Sequence, residues 1–261
     1  MSSAGLNLPH ESIELPFLEY WSSTLLDPRD PQNPRWLELE LGQVARNRRI
    51  AGEIGAHVPM AGARVLDVGC QTGALSVAMS ERGAHVTGID VDAPLVHGAA
   101  IRARCYGIDG EFVAGVAEAL PFDEETFDLV TLIDVLEHVR DIVATLDECV
   151  RVLRPGGALY LQGPNRWSPR WFLRDPHYEM LGISVLPPSL GRFYVTRVRG
   201  RPRYDVGVFP VGARVVQQLV ARGCDVVVEP NDVRARSLPR LHRWWTLHSA
   251  SLFTVVARVR P

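Results

Sequence analysis

No apolar run in this 261-residue chain approaches the length of about 18 residues that a membrane-crossing helix needs. The opening residues, Met1-Ser-Ser-Ala-Gly5, also lack the basic segment followed by an apolar core that marks a secretory leader. Both absences lead us to expect a cytoplasmic protein without stable membrane insertion. Cysteine is scarce: Cys70, Cys105, Cys149 and Cys224 stand far apart, without the paired spacing of a zinc site or a disulfide framework. They read as small buried hydrophobes in a reducing compartment. An excess of one charge is missing as well. The formal net charge is −2, and no basic stripe of the kind that neutralises phosphates runs through the chain, so nucleic acid is not an expected partner. Arginines do crowd two stretches, Arg192 to Arg203 and Arg234 to Arg243. A solvated surface is the favoured reading of both, ahead of an anion or headgroup site that would bring peripheral membrane contact. Oligomeric state is not legible.

What is present is a nucleoside-binding pattern. Arg64-Val-Leu-Asp-Val-Gly-Cys-Gln-Thr-Gly73 reads as a short buried strand and a tight turn, with a helix starting near Ala74. His85-Val-Thr-Gly-Ile-Asp90 follows as a second strand ending in an acid, where a carboxylate can accept both hydroxyls of a ribose. A dinucleotide turn requires glycines at its first, third and sixth positions, for close approach to a pyrophosphate. Here Gly69 and Gly73 are separated by Cys70, Gln71 and Thr72, so the third and sixth glycines are missing. Asp67, inside the strand, would repel a pyrophosphate but suits an ammonium, held directly or through water. A zwitterionic ligand fits better than NAD.

With these residues in place, Val65-Leu-Asp-Val-Gly-Cys70 resembles the first motif of the class I methyltransferases that use S-adenosylmethionine (SAM), and Asp90 matches their ribose acid. The similarity continues through Ala117-Glu-Ala-Leu-Pro-Phe122, Phe127 to Ile133, Asp134-Val-Leu-Glu-His-Val139 and Leu153-Arg-Pro-Gly-Gly157. Arg49 stands where ubiquinone-type O-methyltransferases have an arginine for the cofactor carboxylate. The resemblance implies a cofactor site of Arg49, Asp67, Gly69, Cys70, Gly73, Asp90, Val91, Val116, Ala117, Glu118, Ile133 and Asp134. Two positions depart from the family: Gln71 stands for a usual glycine, and Val116 for a usual acid that accepts from the adenine amino group. Losing that hydrogen bond is worth roughly 1 kcal/mol.

The 46% hydrophobic content suits one sizeable α/β core. Alternating strands and helices predict a Rossmann-like, seven-stranded, mostly parallel sheet with helices on both faces. We divide this single domain into an N-terminal helical cap (1–60), a SAM-binding core (61–163), a substrate-lid insertion after the fifth strand (164–210) and the C-terminal part of the sheet (211–261). Strands are expected near Arg64 to Val68, His85 to Ile89, Glu111 to Ala114, Phe127 to Ile133, Ala158 to Gln162, Asp225 to Val228 and Leu252 to Arg258. The cap should be short helices, the last from about Pro34 to His57. Leu238 to Leu247, with Trp244 and Trp245, reads as an amphipathic element packing on a sheet edge, ahead of one touching a membrane or partner.

Methyl transfer needs an acceptor atom in line with the sulfonium methyl, and a hydroxyl acceptor also calls for a base within hydrogen-bond reach. His177, on the insertion, is the first candidate base and His138 the second. Each can instead be a structural histidine. Asp134, Glu137 and His138 would share one face of a helix after the fourth strand, and the resemblance implies a Mg2+ site there. Asn165, Trp167, Trp171 and Tyr178 are the candidate substrate residues, their rings suited to a flat or apolar acceptor or a sugar. The expected activity is O-methylation of a small molecule, be it natural product, quinone-like compound or sugar. N- or C-methyl transfer and a SAM-fold protein without transfer activity remain alternatives.

Overall fold

A computed structural model of the chain describes residues 12–26, 33–175, 178–198, 209–229 and 250–260. Its strands are β1 (Arg64–Val68), β2 (His85–Asp90), β3 (Glu111–Ala114), β4 (Phe127–Ile133), β5 (Leu153–Pro164), β6 (Cys224–Glu229) and β7 (Leu252–Val259). They form one seven-stranded sheet in the order β3-β2-β1-β4-β5-β7-β6. Each expected strand is found, and the differences lie at the ends, β5 being the most extended. The chain divides into two compact units, 1–117 with 127–130, and 118–126 with 131–261.

In the first unit β1, β2 and β3 run parallel, with Val65 opposite Val86 and Ile89 opposite Val113. Val65, Leu66, Val68 and Ile89 are buried, as expected for strands covered on both faces. Helix α1 (Leu15–Tyr20) starts with Pro16 in its first turn, where a missing N–H is harmless. Two helices, α2 (Asn33–Leu41) and α3 (Gln43–Gly55), replace the single expected one, because Gly42 interrupts the run. Helix α4 (Ala74–Ser80) follows the turn, and α5 (Ala93–Cys105) starts after Asp92 and ends before Gly107, whose φ is 68°. Phe17, Leu18, Trp21 and Leu37 make a small core of their own, with Ile101 of α5 packed against it.

In the second unit β7 runs antiparallel to both β5 and β6, pairing Tyr160 with Val256 and Val227 with Val256. Phe253, Val255, Val256 and Ala257 of β7 are buried, as are Leu159 and Leu161 of β5. Helix α6 (Ile142–Arg151) is capped by Asp141, whose Oδ1 accepts from the amides of Val143 at 2.8 Å and Ala144 at 3.1 Å. Such a cap is worth about 1 kcal/mol. The stretch after β5 folds into α7 (Pro169–Leu173), a 3-10 turn (Ile183–Val185), α8 (Pro188–Phe193) and a π-turn (Tyr194–Val198). Met180, Ile183, Val195 and Phe209 form its core. Helix α9 (Gly212–Ala221) then leads into β6. Among the described residues no helix is long and apolar enough to cross a membrane. The stretch from Leu238 to Leu247 and the arginines from Arg199 to Arg203 and from Arg234 to Arg243 lie outside the described residues.

Candidate functional site

In the first unit the candidate nucleoside half-site is the turn between β1 and α4. Gly69 (φ 72°), Gln71 (φ 47°) and Gly73 (φ 76°) are all in left-handed backbone. That explains why glycine suits position 71: a side chain there costs about 1–2 kcal/mol. Gly73 is constrained twice, since a Cβ on it would stand 2.9 Å from Ala99 Cβ and 3.1 Å from Ala99 Cα. The amides of Gly69 and Cys70 both donate to the Ile89 carbonyl, at 2.8 and 3.0 Å, which ties the turn to the end of β2.

Asp90 is buried and organises the mouth of this half-site. Its Oδ2 accepts from the Gln71 amide at 2.9 Å and its Oδ1 from the Asp92 amide at 3.0 Å. Each carboxylate oxygen keeps capacity for another donor, so the residue can hold the turn and accept ribose hydroxyls together. Val91 and Val116 are 73% and 44% exposed, apolar surface beyond the ends of β2 and β3 of a kind that a flat base covers. Asp67 is buried and accepts from Ser76 Oγ at 2.6 Å. Burial, then the charges of Asp67 and Asp90, push the Cys70 thiol up, so it stays a neutral thiol. Arg49 extends from α3 into solvent, 84% exposed and 3.8 Å from Glu53, while its neighbour Arg48 pairs with Glu81 at 2.7 Å.

In the second unit, Glu118 Oε1 accepts from the Arg140 amide at 2.7 Å, which fastens the segment following Ala117. Beyond Ile133, at the end of β4, Asp134 takes a left-handed φ of 53°, with its amide donating to the Gln162 carbonyl at 2.9 Å. No helix follows. Residues 136–138 form a turn closed by the His138 amide on the Val135 carbonyl, and α6 starts only at Ile142.

The metal expectation is corrected on this point. The spacing of Asp134, Glu137 and His138 converges only on a helix, whereas here Glu137 is buried and His138 exposed. Among the described residues no group of three His, Cys, Asp or Glu side chains could hold a metal ion, so the residues present do not fit Mg2+. Burial pushes the Glu137 carboxyl up to about 8, with Asp134 adding to it and a backbone hydrogen bond opposing. Asp134 touches solvent but is recessed among protein atoms, and this desolvation holds its carboxyl at about 6 against the pull of His138.

The candidate substrate residues take different positions. Asn165 is fully buried, with its amide on the Ser251 carbonyl at 3.1 Å, and the Trp171 indole donates to that same carbonyl. Trp167 is 55% exposed under the Arg166 guanidinium, while Tyr178 packs on the insertion's core, its amide on Asp175 Oδ1 at 2.8 Å. His177 lies outside the described residues.

Two contacts escaped the sequence reading. Ser76, the one polar residue among the buried positions of α4, was a visible signal for the Asp67 contact. The Arg102 contact with Thr72 had none, because Arg102 stands in sequence like any other helix arginine.

A glycine turn tied to an acid at the end of the next strand, on this strand order, is the arrangement in which such α/β sheets place a nucleoside. Residues 66–161 match the family described as a methyltransferase domain. A ubiquinone biosynthesis O-methyltransferase of Xylella fastidiosa (strain 9a5c) is 36% identical over 196 residues, 74% of this chain and 76% of the relative. Among solved structures, the PH0226 protein of Pyrococcus horikoshii OT3 superposes with a TM-score of 0.62 at 18% identity, covering 83% of this chain and 90% of that one. An S-adenosylmethionine-dependent methyltransferase of Mesorhizobium loti superposes at 0.55 and 19% identity, covering 77% and 93%. These two share the fold. The chain belongs to the class I SAM-dependent methyltransferases, among the O-methyltransferases.

Proposed function

We propose that the protein transfers the methyl group of SAM to a hydroxyl of a small, quinone-like aromatic acceptor. The observation that carries this reading is Asp90, buried beside a turn of left-handed residues and still able to accept ribose hydroxyls. Val91 and Val116 would flank the base, and Asp67, buried and accepting from Ser76 Oγ, would act on the ammonium end through its charge. Val116 offers no acceptor to an adenine amino group, so recognition of the base rests on apolar contact. Arg49, Gly69, Cys70, Gly73, Ala117, Glu118, Ile133 and Asp134 are assigned to the cofactor by the resemblance alone. The acceptor's quinone-like character is carried over from the Xylella relative.

SAM, when bound, supplies a methyl carbon made electrophilic by its sulfonium. With SAM held there, the acceptor oxygen would form the new C–O bond as the S–C bond broke, leaving S-adenosylhomocysteine, and the hydroxyl proton would have to leave. An imidazole nitrogen takes that proton in this reading, on His177 or on the exposed His138. Glu137, held neutral up to about pH 8, is not that base. Asn165, Trp167, Trp171 and Tyr178 are assigned to the acceptor. The free cysteines among the described residues support a reducing, cytoplasmic location. The test is incubation with SAM and a series of catechols, reading S-adenosylhomocysteine (SAH) and methyl ether by mass spectrometry. Equal yields of both support O-methylation, whereas SAH binding without product from any catechol counts against a quinone-like acceptor.

A further inference from the structure

Arg102 of α5 is fully buried, and a buried guanidinium persists only where its donors are met. Its partners come from three distant places in the chain. Nε donates to Glu14 Oε1 at 3.0 Å, just before α1, and Nη2 to Glu40 Oε1 at 2.6 Å, in α2. Nη1 donates to the Thr72 carbonyl at 3.0 Å and to Thr72 Oγ1 at 2.7 Å, inside the cofactor turn. Thr72 Oγ1 donates in turn to Glu40 Oε1 at 2.9 Å. The guanidinium carbon lies 3.7 Å from the centre of the Phe17 ring, on α1. Thr72 stands between Gln71, held by Asp90, and Gly73, both left-handed. The turn is thus gripped from two sides, by Asp90 at its mouth and by Arg102 behind it.

We propose that Arg102 is a positioning residue that couples docking of the N-terminal helices α1 and α2 to the shape of the cofactor turn. The proposal rests on the reading that this turn binds SAM. Three planar donor groups in fixed directions explain why arginine is required, since a lysine ammonium cannot span the same partners in one plane. The Thr72 carbonyl is held only while Glu14 and Glu40 hold the other edges of the guanidinium, so loosening the N-terminal helices releases the turn. The coupling is reciprocal: a ligand that favours the native turn favours the docked helices by the same factor.

The test compares wild type with Thr72→Val and Arg102→Lys, using titration calorimetry with SAH and hydrogen exchange with and without it. Wild type should bind SAH, and SAH should slow exchange in Leu15–Tyr20 and Asn33–Leu41. Both variants should bind SAH about 5-fold or more weakly and lose most of that slowing, with exchange in β6 and β7 unchanged. Affinity equal to wild type in both variants, or SAH binding that leaves α1 and α2 exchange unaltered, overturns the coupling and leaves the cofactor reading intact. Absence of SAH binding by wild type overturns both. If Arg102→Lys does not fold, Thr72→Val decides, because it keeps every charge and removes one hydroxyl.

Discussion

Gly73→Ala is the perturbation whose cost follows most directly from the geometry. The residue has a φ of 76°, so any side chain adds about 1–2 kcal/mol of backbone strain. A Cβ would also stand 2.9 Å from Ala99 Cβ and 3.1 Å from Ala99 Cα, and the latter belongs to the backbone of α5 and cannot rotate away. Overpacking of that kind adds about 1–3 kcal/mol, for a total of about 2–5 kcal/mol. Gly107→Ala isolates the first contribution, because Gly107 has a φ of 68° and nothing within 4 Å of the new atom. Urea unfolding at equilibrium should therefore place Gly73→Ala below Gly107→Ala by about 1–3 kcal/mol. At about 2–4 °C per kcal/mol the melting temperature should separate the two in the same order. A Gly73→Ala protein no less stable than Gly107→Ala would refute the argument that α4 and α5 meet too closely for a methyl group.

Asp90→Ala should weaken SAH binding about 10- to 100-fold by calorimetry, the loss of one to two hydrogen bonds to a charged group. Unchanged affinity would move the ribose elsewhere. Glu137 has a folded pKa of about 8 against an ordinary value near 4.5, so its neutral form is the stabilised one. Stability from this group is full below about pH 4.5 and is lost as pH rises through about 8. Glu137→Gln should accordingly match wild type near pH 4 and exceed it by about 3 kcal/mol at pH 7, measured by denaturant unfolding; a pH-independent difference would contradict the burial argument. Methyl transfer should be unaffected by EDTA, since Asp134, Glu137 and His138 do not converge; inhibition reversed by added Mg2+ would restore the metal site.

The strand, turn and terminal acid of the candidate half-site were legible in the sequence because their information is local. A buried apolar triplet, two glycines and an acid at the next strand end are contiguous signals, and each follows from backbone sterics or strand burial. The strand series was legible for the same reason, down to β7 at the C-terminus. The stretch from Asp134 to His138 misled because its spacing satisfies a helical face equally well. Where the chain leaves the helical path, Asp134 is left-handed, and its amide meets the carbonyl of Gln162 in β5, a residue distant in sequence. Arg102 shows the same limit more sharply. Its burial and its three partners depend on how residues 14, 40 and 72 fold back onto α5, which no window of sequence around position 102 contains. The sequence by itself determined the fold class and the cofactor class, because these rest on short-range periodicity and glycine chemistry. Only the tertiary structure decided that the acid–histidine triad does not close on a metal and that an arginine stands behind the cofactor turn, because both depend on which distant groups meet.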